Sequence, residues 1–255
     1  MKGEFFIKQA AAIPLIGFFI RAAVALKLRS RPLESWPAWL SSALEIRLPA
    51  AERAMVSADR YGPSALILMN LLRRTAGVPG DLVECGVYRG HSLIPMGLYA
   101  RELNLEKRLY GLDTFSGFGD EVQTDIELGG KASGIKKVGG FGKTSRGLVA
   151  CRIRAFGLAS KVTLLPGKFE ASFPKLAYKR FSLVHLDCDL YESYRNCLHF
   201  FYPRLERGGV ILLDEYLDPV WPGCHKAVEE FIKGQPLKVQ EIREGIFKRY
   251  MIVKV

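Results

Sequence analysis

A chain of 255 residues with 49% apolar side chains can bury the core of one large α/β domain, which excludes global disorder. Its formal charge of +11 favours anionic partners, yet no basic stretch is interleaved with aromatics, so no nucleic-acid partner is expected. The five cysteines are scattered without a CxxC pair; this excludes a disulfide framework or zinc site and fits reduced thiols in the cytoplasm.

In chain order, residues 1–76 read as an N-terminal helical extension, punctuated by Pro32, Pro37 and Pro49. Residues 10–26 are strongly apolar but interrupted by Pro14 and Arg21, and fall short of the roughly 20 apolar residues that a spanning helix needs. No small-residue cleavage site marks a signal peptide. Two readings stand for this run. One is a packing helix at the interface of a homo-oligomer. The other is a peripheral anchor on the inner membrane face through residues 10–31, with Lys27, Arg29 and Arg31 at the headgroups. Residues 53–74 carry apolar positions at helical spacing, and Gly77-Val78-Pro79-Gly80 breaks that pattern.

Residues 77–255 form the second expected unit, with alternating β and α rhythm. Strands are predicted at 82–85, 109–112, 162–165, 182–186 and 210–213, and helical segments separate most of them. This alternation predicts a mostly parallel sheet with right-handed crossovers. After a helix at 225–233, strand-like runs at 237–242 and 247–255 are joined only by Arg243-Glu244-Gly245-Ile246, which forces an antiparallel hairpin. A Rossmann-like parallel sheet that ends in such a hairpin is the layout of class I methyltransferases. Residues 115–146 hold eight glycines and no sustained period; a stretch this long after the second strand reads as a lid.

Two acidic clusters end apolar runs: Leu183-Val184-His185-Leu186-Asp187-Cys188-Asp189 and Val210-Ile211-Leu212-Leu213-Asp214-Glu215. Asp187 and Asp214 lie 27 residues apart, one strand–helix–strand unit, which puts both clusters at the carboxyl edge where open α/β sheets bind ligands. Carboxylates converging there repel one another, and an oxygen-only donor set points to magnesium or a similar hard ion. In an extended strand Asp187 and Asp189 would face one side. Asp187 is assigned to the metal and to catalysis, and Asp189 to metal binding or to the role of leading general base.

The first βα turn, Glu84-Cys85-Gly86-Val87-Tyr88-Arg89-Gly90-His91-Ser92, is not GxGxxG. Gly86 permits close backbone approach, Gly90 a tight helix entry, and Glu84 can bind a ligand's amino group. Asp113, at the end of the second strand, stands where Rossmann-like sites accept hydrogen bonds from ribose hydroxyls; the competing reading is a loop or capping aspartate. Without a phosphate cradle, S-adenosylmethionine fits better than a nicotinamide dinucleotide. Tyr88, His91 and Ser92 of the turn, and Thr114 beside Asp113, complete the expected cofactor wall.

Five motifs occur in order: the Gly80–Gly90 segment, Gly111-Leu112-Asp113-Thr114-Phe115-Ser116-Gly117-Phe118, Gly167-Lys168-Phe169-Glu170-Ala171-Ser172-Phe173-Pro174, His185-Leu186-Asp187-Cys188-Asp189-Leu190-Tyr191 and Asp214-Glu215-Tyr216. Together they resemble the macrocin O-methyltransferase family over about residues 78–232. The resemblance implies a class I enzyme that uses S-adenosylmethionine and a magnesium ion to methylate sugar hydroxyls. It implies cofactor contacts at Glu84, Gly86 and Asp113, and metal ligands at Asp187, Asp214 and Glu215. The chain departs from the family's pattern at Glu215, where a second aspartate is common, and across residues 130–159. The expected acceptor is a hydroxyl of a sugar or glycosylated small molecule. The alternatives are a catechol-type O-methyltransferase and a non-catalytic membrane-associated binding protein of the same fold.

Overall fold

The computed structural model describes residues 62–129, 137–244 and 247–255. The apolar run at 10–26 and the basic residues at 27–31 lie outside the described residues, as does most of the expected helical extension.

Helix α1 (Gly62–Arg74) buries Ile67, Leu68, Leu71 and Leu72, the one-sided spacing of a helix laid on a sheet. The chain then enters β1 (Asp81–Cys85), α2 (Leu93–Glu102) and β2 (Leu109–Asp113). The glycine-rich stretch after β2 contains one short helix, α3 (Val122–Glu127), and leads to α4 (Arg146–Ala155). There follow β3 (Val162–Pro166), α5 (Phe169–Ser172), β4 (Phe181–Leu186), α6 (Tyr191–Phe201) and β5 (Leu205–Leu213). The chain closes with α7 (Pro222–Ile232), β6 (Val239–Glu244) and β7 (Phe247–Val253).

The seven strands form one sheet in the order β3-β2-β1-β4-β5-β7-β6. The first five are parallel, and β7 runs antiparallel to both β5 and β6. The expected class I methyltransferase layout, hairpin included, is thus present. Strand β5 begins at Leu205, five residues before the predicted start, because Glu206-Arg207-Gly208-Gly209 hides its beginning behind polar and turn residues. Gly208 adopts φ 82 there, and the β4–β5 register shifts across the same stretch.

Alternate strand residues feed two separate cores. Leu82, Leu183, Val210 and Leu212 pack with α1, α2 and α4 on one face. Val83, Val184, Ile211 and Leu213 pack with α6 and α7 on the other. Burial on both faces explains why these strands read as continuous apolar runs. Among the described residues no helix is long and apolar enough to cross a membrane.

Register then places the site. Cys85 pairs with Leu186, and Leu186 with Leu213. The next residues, Gly86, Asp187 and Asp214, therefore emerge side by side at one sheet edge.

Candidate functional site

Gly86 sits at φ 92, and a Cβ placed there would lie 1.7 Å from the Asp187 carbonyl oxygen. Only glycine lets the β1 and β4 ends come this close. The contact that requires it is with the protein's own backbone. The Asp187 N–H donates to the Cys85 carbonyl at 2.9 Å, and the Gly86 N–H to the Leu112 carbonyl at 2.9 Å.

Asp113 binds the same loop. Its Oδ2 accepts the N–H groups of Val87 at 2.9 Å and Tyr88 at 2.7 Å, and its Oδ1 accepts that of Phe115 at 2.6 Å. The loop-aspartate reading therefore describes much of what Asp113 does, although its side chain also lines the adjoining cleft.

That cleft encloses about 870 Å³, open mouth included. Gly86, Tyr88, His91, Ser92, Asp113 and Thr114 line it, as do Asp187 and Asp189. Two expected cofactor residues do not. Gly90 is buried at the entry to α2, facing Val149 and Ile94. Glu84 is fully buried and turned inward, where its Oε1 meets His185 Nδ1 at 3.0 Å.

Sequence reasoning missed the aromatic wall. Phe141 lies edge-on to Tyr88 at 5.3 Å and to Phe118 at 5.4 Å, and Phe118 meets Trp221 at 5.8 Å. Phe118 and Phe141 come from the glycine-rich stretch, so part of the predicted lid forms a cleft wall. Gly117, at φ 86, lets it fold back against Gly140 and Gly142. Helix α3 is docked through buried Asp125, whose Oδ2 accepts the Tyr191 N–H at 2.9 Å in the first turn of α6. Aromatics set among glycines, without a period, were the only sequence signal for this wall.

Next to the cleft, Asp187, Asp214 and Glu215 each offer a carboxylate oxygen, and these oxygens lie within 4.8 Å of one another. Burial and the Asp214 charge push the Asp187 carboxyl up to about 7. Burial and the Asp187 and Asp214 charges push Glu215 well above the carboxylate range. Asp214 behaves oppositely. Burial would raise it, but His185 and Arg249 hold it down at about 2.

Arg249 Nε donates to Asp214 Oδ1 at 2.7 Å, and His185 Nε2 stands 3.7 Å from the same oxygen. Burial alone would lower the His185 ring; the Asp214 and Glu84 carboxylates instead raise it to about 10. Arg249 arrives from β7, which pairs with β5, and no local motif announced it.

Asp189 is reached by a different route from the one expected. Strand β4 stops at Leu186, and Asp189 adopts φ 60, so the two aspartates do not share an extended strand. The turn nevertheless brings both to the cleft wall. Burial and the nearby Asp187 and Asp214 charges raise the Asp189 carboxyl well above its ordinary value.

Known proteins share this architecture. The chain is 33% identical over 157 residues to the 8-demethyl-8-(2,3-dimethoxy-alpha-L-rhamnosyl)-tetracenomycin-C 4'-O-methyltransferase of Streptomyces olivaceus, covering 61% of this chain and 59% of the relative. It is 32% identical over 156 residues to the demethyldecarbamoylnovobiocin O-methyltransferase of Streptomyces niveus, covering 60% of this chain and 58% of the relative. The matches thus span under two thirds of these relatives' lengths. The solved O-methyltransferase NovP superposes with a TM-score of 0.63 at 27% identity, covering 75% of this chain and 80% of that one. The macrocin-O-methyltransferase (TylF) family model matches residues 47–245, and the chain belongs to that family.

Proposed function

We propose that the protein transfers the methyl group of S-adenosylmethionine to a hydroxyl of a sugar or glycosylated small molecule, assisted by a divalent metal ion. The observation that carries this reading is the meeting of Asp187, Asp214 and Glu215 beside a cleft lined by the Gly86 loop and Asp113.

The residues fit such an ion. Their donors are all carboxylate oxygens, which suits a hard cation such as magnesium. Burial and mutual repulsion raise the Asp187 and Glu215 carboxyls above their ordinary values. Arg249 Nε holds Asp214 Oδ1, and one carboxylate oxygen from each of the three lies within 4.8 Å of the others. When bound, the ion lowers the pKa of an alcohol and orients it.

S-Adenosylmethionine supplies a methyl group on a sulfonium. The Gly86 loop, fixed by Asp113, forms one wall for it, with Tyr88, His91, Ser92 and Thr114. The acceptor's hydroxyl oxygen forms the new bond to the methyl carbon as the carbon–sulfur bond breaks, and its proton passes to the Asp189 carboxylate. Asp189 lines the cleft beside Asp187, where it can reach that proton. Phe118 and Phe141 keep water from this side of the cleft.

Residues 77–255 would then be the cofactor-binding unit. A peripheral membrane contact through residues 10–31 is supported by their apolar and basic sequence.

The test is methyl transfer from labelled S-adenosylmethionine to a panel of glycosides and catechols, with and without chelator. Chelator-sensitive labelling of a glycoside is expected. Labelling of catechols alone would favour the phenolic alternative. Absence of S-adenosylmethionine binding with magnesium present would favour a non-catalytic protein.

A further inference from the structure

Glu215 is one methylene longer than Asp187 and Asp214 beside it, and a longer arm has more rotamers to lose when it ligates an ion. Tyr194 of α6 addresses this. It is fully buried, and its hydroxyl lies 2.7 Å from Glu215 Oε2, 3.2 Å from the Glu215 backbone nitrogen and 3.0 Å from the Leu186 carbonyl. A phenol carries one hydrogen and two lone pairs. It therefore accepts the Glu215 N–H and gives its own hydrogen to Oε2, the nearer acceptor. One hydroxyl grips both the backbone and the far end of the same residue. One Glu215 carboxylate oxygen lies within 4.8 Å of oxygens of Asp187 and Asp214.

The geometry points to Tyr194 as a positioning residue that adapts the metal site to a glutamate at 215. The inference rests on the metal reading above. An aspartate at 215 would withdraw the carboxylate by ~1.5 Å, one carbon–carbon bond, and lose the phenol's grip.

The test measures manganese binding, by paramagnetic resonance of the free ion, in the full chain and its Y194F, E215D and Y194F/E215D variants. Thermal melts report folding alongside. In the presence of Glu215, Y194F should weaken manganese binding by about 10–100-fold, the range for outer partners of metal ligands. In the E215D background the same change should alter affinity less than about twofold, since the shorter carboxylate no longer meets the hydroxyl and the two changes are coupled. An equal effect of Y194F in both backgrounds, as lost binding or as lost folding, overturns the proposal, as does no effect in either. Failure of the unaltered protein to bind manganese overturns the metal reading itself, and this proposal with it.

Discussion

The two ends of the parallel sheet carry opposite charge and handle it in opposite ways. The carboxyl end gathers Glu84, Asp113, Asp187, Asp189, Asp214 and Glu215. The amino end gathers Lys107 and Arg108 before β2, Lys161 before β3, Lys179 and Arg180 before β4, and Arg204 before β5. Lys254, just past the antiparallel β7, joins them. At the amino end cations cap backbone carbonyls. Arg180 donates to Pro203 at 2.9 Å, Arg204 to Phe200 at 2.8 Å and Lys254 to Tyr202 at 3.0 Å. At the carboxyl end acidic side chains face one another, with His185 and Arg249 beside Asp214. The amino end serves the fold; the carboxyl end holds repulsion that a bound cation would relieve.

The sharpest way to break this contrast is D187N. It should reduce methyl transfer by at least ~100-fold through loss of a metal ligand. With chelator present it should raise the melting temperature by about 2–4 °C, because one repelling charge is gone. A variant both inactive and less stable would contradict the assignment of strain to this end. Metal addition sharpens the contrast next. Magnesium at a hundredfold excess over its Kd should stabilise the unaltered protein by about 2.7 kcal/mol, and D187N by far less, as read from melts with and without chelator.

A smaller effect is expected for R249M, about 2 kcal/mol of destabilisation in metal-free protein, from an Asp214 left without its main partner. The pH dependence has a fixed sign. Asp214 is depressed from 3.8 to about 2, so its contribution is complete above pH 4 and is lost as pH falls through about 2. Urea midpoints of the two proteins should differ most near neutrality and converge toward pH 2. The smallest effect belongs to the amino end. K254M should shift the urea midpoint by less than about 1 kcal/mol and leave methyl transfer unchanged.

Much of this arrangement was legible because buried parallel strands are continuous apolar runs that stop abruptly at an acid. Leu186-Asp187 and Leu213-Asp214 announce both the strand ends and the acids that meet at that edge. What stayed hidden was set by partners distant in sequence. Glu84 reads as a residue for the cofactor's amino group, yet His185, brought alongside by β1–β4 pairing, draws it inward. Arg249 reaches Asp214 only because β7 pairs with β5. Helix α3, with six residues, is too short for a period to show, and its role depends on one buried side chain, Asp125, meeting α6.

The tight seat of Gly86 has a consequence for how ligands sense each other. The loop that walls the cleft and the backbone of a metal-site aspartate share one rigid junction, locked by the Asp187 N–H on Cys85 and by Asp113 on Val87 and Tyr88. If a sulfonium cofactor and a cation both bind here, any effect of one on the affinity of the other is returned by the same factor.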